Sequence, residues 1–213
     1  MRIGVVSDTH DRHEAVAEAV RLLVEQQVEL ILHCGDIESP DTVRVFKGIP
    51  THFVFGNWDK DKAKLAAVIK EIGGSFYESF GFLTLQEKRI AWVHSHERHQ
   101  LRQLENADYF DYVFYGHTHV REQHRTGRTL VANPGALFRA NPKTCIVLDV
   151  TSGEIKPIIV PVKPAAAATP HAATATLDEG TGSIIMPPNA LPSLPTAPRP
   201  LPTSDRSPPA PPG

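Results

Sequence analysis

The 213 residues carry a formal charge of −2 at pH 7, with 22% charged side chains. Such a near-neutral balance offers no basic footprint for wrapping nucleic acid, and no apolar run approaches the length of a membrane span. Two cysteines, Cys34 and Cys145, are too few for a disulfide framework; with an N-terminal RIGVVSD that reads as an acid-ending strand and not a signal peptide, they predict reduced thiols and a cytoplasmic protein.

Apolar periodicity predicts a strand at 2–7 and a helix at 12–26, where Ala15, Val16, Ala19, Leu22 and Leu23 recur at helical spacing. Asp11 and Glu14 read as a capping box for that helix. A strand at 28–34, a short helix near 40–47, a strand at 51–55 and a helix near 61–72 follow, the last ended by Gly73 and Gly74. Next come strands at 76–78, 82–87 and 89–94, a helix near 97–106 and a strand at 112–115. Strands near 120–125 and 128–132 turn at Thr126–Gly127, and strands at 143–150 and 154–160 turn at Thr151–Gly153. Strand–helix alternation first and consecutive strands later predict an α/β fold: a four-layer αββα sandwich of two mixed β-sheets flanked by helices.

Composition breaks at Pro161. From it onward there is no Phe, Trp or Tyr, and fourteen of the nineteen prolines lie there, so 161–213 reads as a disordered Pro/Ala-rich tail beside a domain at 1–160. Pro192, Pro195 and Pro198 form overlapping PxxP patterns that could dock an aromatic groove; the simpler reading is a solvated tail with no partner. The apolar island SIIMP (183–187) is equally open to either reading.

Several strand segments end in residues that bind divalent cations. Asp8 and His10 close the first, Asp36 the second, Asn57 the third, His94 the fourth, and His117 and His119 the fifth. Two Asp, four His and one Asn suit Mn, Fe, Ni or Zn and are richer in imidazole than Mg or Ca sites. Seven donors are too many for one tetrahedral ion, so the set predicts two metals. Asp8 and His10 are two apart, as are His117 and His119, so an extended backbone would send each pair from one face.

The series DTH (8–10), GD (35–36), GNWD (56–59), VHSH (93–96) and GHTH (116–119), with NPGAL (133–137), resembles the calcineurin-like metallophosphoesterase superfamily, in particular its small YfcE-type phosphodiesterase branch. The resemblance covers Met1 to Val160. It implies that Asp8, His10 and His119 hold one ion, Asn57, His94 and His117 the other, and that Asp36 bridges them with one oxygen toward each. It also implies hydrolysis of a small-molecule phosphodiester by a metal-bridging hydroxide attacking phosphorus, with the Asn57 amide N–H on a phosphoryl oxygen and Mn as the leading cofactor. Alternatives are a nuclease on the same centre, which normally needs a basic track, and a non-catalytic scaffold like the retromer subunit of this fold.

Two positions depart from the family pattern. Trp58 stands where many members carry a His that resembles a general acid, and an indole cannot protonate a leaving alkoxide. It reads either as packing or as an aromatic wall over the site, and Asp59 then has no His to orient. Ser95 stands where Gly is more usual. His96 is a candidate substitute acid. His33, mid-strand, and Cys34 read as core residues, and Arg12 as an ordinary surface residue more than an anion-binding one.

Overall fold

The computed structural model describes residues 1–161, so the expectations for the tail, its PxxP patterns and its SIIMP island lie outside the described residues. Along the chain run β1 (Arg2–Val6), α1 (His13–Glu25), β2 (Leu30–His33), α2 (Pro40–Arg44), β3 (Thr51–Val54) and α3 (Lys62–Glu71). Then come β4 (Ser75–Tyr77), β5 (Phe80–Leu85), β6 (Lys88–Val93), α4 (Arg98–Glu105) and β7 (Tyr112–Tyr115). The last are β8 (Glu122–Thr126), β9 (Thr129–Asn133), β10 (Thr144–Asp149) and β11 (Ile155–Ile159). Each element expected from the pattern is present, with ends shifted by at most three residues, the largest shift at the end of α2.

Two mixed sheets form, in the orders β11-β10-β1-β2-β3-β4 and β5-β6-β7-β9-β8. Three apolar layers hold four structural layers together. Val16, Ala19 and Leu23 of α1 and Leu65 and Ile69 of α3 pack with Val6, Ile31 and Phe53 on the outer side of the first sheet. The alternate residues Ile3, Val5, Leu30, Leu32 and Val54 face Ile90, Trp92, Phe114 and Ala132 between the sheets. Ala91, Val93, Val113 and Val131 form the outer side of the second sheet, covered in part by Leu101 and Leu104 of α4. This is the expected αββα sandwich. Strands buried on both faces explain why their sequences are nearly continuous Val, Ile, Leu and Phe.

Local chemistry differs from expectation at one helix start. The cap of α1 is Arg12, without a side-chain cap bond, so the Asp11–Glu14 capping box does not form. Asp11 sits at φ 54 and instead accepts hydrogen bonds from Ser39 Oγ (2.5 Å) and Thr42 Oγ1 (2.6 Å), tying α1 to the start of α2.

Candidate metal centre

Strands β1, β2 and β3 are parallel in one sheet, and β6 and β7 are parallel in the other. Their C-terminal ends therefore deliver Asp8 and His10, Asp36, Asn57, His94, and His117 and His119 to one region, as open parallel sheets do. Two clusters result: Asp8, His10 and His119, and Asp8, Asp36 and His94, each with donor atoms all within 4.8 Å of one another. Asn57 joins the second through Oδ1, 3.0 Å from His94 Nε2. His117 stays outside both. Its backbone N–H donates to Asp8 Oδ2 at 3.0 Å, while its exposed ring lies 5.1 Å from the His94 ring, centroid to centroid.

The fully buried Asp8 thus belongs to both clusters, whereas the expected sharing falls on Asp36 alone. The two Asp36 oxygens have different neighbours. Oδ1 accepts the Trp58 backbone N–H at 2.9 Å, and Oδ2 alone faces both His94 Nε2 (3.1 Å) and His10 Nε2 (3.4 Å).

Hydrogen bonding fixes the imidazoles so that their lone pairs converge. His94 Nδ1 donates to the Cys34 carbonyl at 2.9 Å, and His10 Nδ1 donates to Glu38 Oε1 at 2.5 Å. In each ring the uncharged form then carries its lone pair on Nε2, aimed at carboxylate and amide oxygens that are also acceptors. His10 Nε2 is buried and has no hydrogen-bond partner. Packing acceptor against acceptor in a buried pocket is costly unless a positive charge sits among them. Protons answer the same demand: His94 is raised above its ordinary value by Asp36 and Asp8 although burial opposes, and His119 is raised by its hydrogen bond to Asp8. These residues fit divalent cations, and a carboxylate or carbonyl behind each metal-facing imidazole is the usual supporting arrangement.

The paired donors do not converge by strand alternation. Asp8 (φ 53), His10 (φ 42), Asp36 (φ 59), His117 (φ 75) and His119 (φ 60) are all left-handed, beyond the last extended residue of each strand. Main-chain bonds lock this backbone: Asp8 N–H donates to Gly35 O at 3.0 Å, and Thr9 and His10 N–H donate to Asp36 O at 3.0 and 3.1 Å. Such conformations persist where the surroundings over-determine them. Ser95 is left-handed too (φ 73), which explains why Gly suits this position; here its Oγ donates to Gly116 O at 2.9 Å. Gly116 and Gly56 are demanded by close approach. A Cβ on Gly116 would lie 1.9 Å from Ser7 Oγ, and one on Gly56 would lie 2.2 Å from Asp36 Oδ1.

Several further residues support these donors, of which Glu38 and Phe138 carried no signal in the sequence. Glu38, two residues past Asp36 and itself left-handed (φ 77), orients His10. Asp59, freed from any His, accepts four backbone N–H groups, from Asp36, Ile37, Glu38 and Gly56, at 2.7–3.0 Å. His33 is fully buried and held neutral by burial, its pKa lowered to about 3. Its Nδ1 accepts from Gly35 N–H (3.1 Å), so its Nε2–H donates to Thr9 Oγ1 (3.1 Å), which in turn donates to Asp36 O (3.1 Å). The Cys34 thiol is likewise buried in the core, and its carbonyl, not its sulfur, serves the site. Phe138 follows the NPGAL turn and packs on His10 with ring centroids 4.7 Å apart.

Trp58 is 56% exposed, so it is not a packing residue; its ring stands 6.2 Å from that of His10. His96 is exposed beside His94 and His117. Burial and the neighbouring His94 lower its pKa, which works against its holding a proton at neutral pH.

Residues 1–153 match the model of the calcineurin-like phosphoesterase superfamily domain. The chain belongs to this superfamily. The chain is similar to phosphodiesterase MJ0936 of Methanocaldococcus jannaschii, 28% identical over 165 residues that span 75% of this chain and 99% of the relative. A solved archaeal phosphodiesterase superposes with a TM-score of 0.71 at 28% identity, covering 75% of this chain and 99% of that one. The phosphoesterase YfcE of E. coli (TM-score 0.53, 18% identity, 76% and 100% covered) and Vps29 of Entamoeba histolytica (0.54, 18%, 74% and 97%) share the fold alone. As a superfamily member, the protein is a phosphoric ester hydrolase of a metal-using family. No helix among the described residues is long and apolar enough to cross a membrane.

Proposed function

We propose that the protein is a phosphodiesterase that hydrolyses small phosphodiesters at a centre of two divalent cations held by Asp8, His10, Asp36, Asn57, His94, His117 and His119. The observation that carries this reading is the convergence of acceptor atoms around the orphaned Nε2 of His10. Mn is the leading cation, with Ni, Fe and Zn compatible with the same donors. When bound, such cations activate water at neutral pH and neutralise charge on phosphoryl oxygens. His117 has the exposed ring and the short approach to His94 that would let it turn onto the second cation. The Asn57 amide turns its oxygen to His94, leaving its N–H groups to hold a phosphoryl oxygen. Trp58 forms a wall over the His10 side, suited to stacking on a base or aryl group.

A non-catalytic role predicts eroded donors, and all seven positions retain competent residue types. A nuclease would need a basic track for the backbone, which the near-neutral chain does not supply. Residues 1–160 are proposed as the catalytic domain and 161–213 as a dispensable tail. Buried free Cys34 and Cys145 suit a cytoplasmic setting. The test is metal removal and return. Chelator-stripped protein should lose activity on bis(p-nitrophenyl) phosphate and regain it with Mn or Ni more than with Mg, and Asp36→Ala should abolish it. Full activity in Asp36→Ala, with no divalent ion found in the parent by elemental analysis, refutes the reading.

A further inference from the structure

The two sides of the centre differ in chemistry. The side of Asp36 and His94 is lined by the imidazoles of His96 and His117. The His10 side is lined by Phe138, over whose ring lie two guanidinium groups: Arg12 Cζ at 4.6 Å and Arg139 Cζ at 4.9 Å from the centroid. With Phe138 itself 4.7 Å from the His10 ring, each guanidinium is within about 10 Å of a metal-facing imidazole. Among the described residues neither has a carboxylate partner. Asp11, beside Arg12 in sequence, is turned onto Ser39 and Thr42. Arg139 is also left-handed (φ 47), a conformation that tends to be retained where a site requires it. An arene under a guanidinium restrains its plane while leaving its N–H fork free for a bidentate acceptor.

We propose that Arg12 and Arg139, held over Phe138, form a subsite for a second anionic group on the substrate. The favoured substrates are then phosphodiesters whose retained alcohol carries a further phosphate or carboxylate, as in a nucleoside bisphosphate ester. This rests on the phosphodiesterase reading and assigns the position at which that enzyme would discriminate. Phe138 acts as the positioning residue, and the two arginines bind the substrate.

The experiment compares two chromogenic esters with one leaving group, thymidine 5′-(p-nitrophenyl phosphate) with and without a 3′-phosphate, on Mn-loaded full-length protein. The parent should favour the 3′-phosphorylated ester by about two- to fivefold in kcat/KM, the scale of one charge pair at a solvent-exposed rim. Arg12→Ala/Arg139→Ala should bring that ratio close to one, mainly through KM. Lys47→Ala/Lys64→Ala, which removes equal charge from exposed positions elsewhere, should leave the ratio as in the parent. Arg12→Lys/Arg139→Lys should retain part of it, which charge without the fork supplies. A parent ratio near one, or a ratio that survives in the double Ala variant with an unchanged melting temperature, overturns the subsite while leaving the phosphodiesterase reading standing. Hydrolysis of neither ester overturns both.

Discussion

Asp59→Asn removes one atom's charge and almost no volume, yet the structure assigns it a large effect. Asp59 Oδ1 accepts from Ile37 N–H (2.7 Å) and Glu38 N–H (2.8 Å), while Oδ2 accepts from Asp36 N–H (3.0 Å) and Gly56 N–H (2.7 Å). Burial pushes this carboxyl up, against the pull of its N–H donors. The geometry nevertheless requires the ionised form, because a protonated oxygen would set an O–H against an N–H. An amide can satisfy only one pair and turns its NH2 on the other. Two buried donors left unmade cost about 1–3 kcal/mol each, so the variant should lose about 2–6 kcal/mol. For a domain of this size that is roughly 5–20 °C in melting temperature. The freed segment carries Asp36 and Glu38, so Mn affinity should fall together with stability. Thermal melts with and without Mn, beside an isothermal Mn titration, read both effects. A melting temperature within two degrees of the parent and unchanged Mn affinity would show that Asp59 does not clamp this loop.

Lacking a donor at position 58, the parent should hydrolyse aryl esters far faster than alkyl esters. Trp58→His should help alkyl esters selectively, by at most the roughly 10²–10⁴-fold that general acid catalysis supplies; a shallow leaving-group dependence in the parent that steepens in His96→Ala would instead assign the role to His96. Truncation after residue 163 should leave the melting temperature and aryl-ester hydrolysis as in the parent, and a loss of several degrees would refute the proposed dispensable tail. Far from the centre, Asp111 accepts from Arg89 N–H and Arg128 Nη2, both at 2.8 Å, and although partial burial opposes, these partners hold its carboxyl below the ordinary range. Its contribution should be present above the ordinary carboxylate pKa, about 3.9, and be lost as pH falls through the lowered value, so the urea-melt difference between parent and Asp111→Asn should shrink on acidification and not on alkalinisation.

The sandwich was legible because its signals are local and redundant. Doubly buried strands such as Ile31–Leu32 and Val113–Phe114 announce themselves as apolar runs, and α1 carries its apolar face at regular spacing. The donors were legible for a related reason. A cation-binding residue just past one apolar run is commonplace, but the same placement after five such runs points to a shared site. Orientation was not legible. Period-2 reasoning assigns Asp8 and His10 to one face, but both lie past the end of β1 in left-handed backbone, a choice imposed by main-chain bonds from Gly35 and Asp36 that sequence does not display. Glu38 was hidden because its carboxylate reaches His10 across a turn, and Phe138 because the NPGAL stretch before it reads only as a turn.

The same main-chain bonds account for how a site can persist while sequence drifts. The Asp36 carbonyl gathers Thr9 and His10 N–H, the Cys34 carbonyl orients His94, and the His117 N–H fixes Asp8. None of these contacts depends on the side chain of the residue supplying the backbone atom. What they require is that the backbones approach closely, and that falls on Gly56 and Gly116, where a Cβ would strike Asp36 or Ser7. A relative 28% identical keeps the fold at a TM-score of 0.71. On the proposed reading, the rim side chains Trp58, Phe138, Arg12 and Arg139 are the ones placed to meet whatever the phosphorus carries. On this view the backbone-held donors set the reaction, and the rim sets which ester undergoes it.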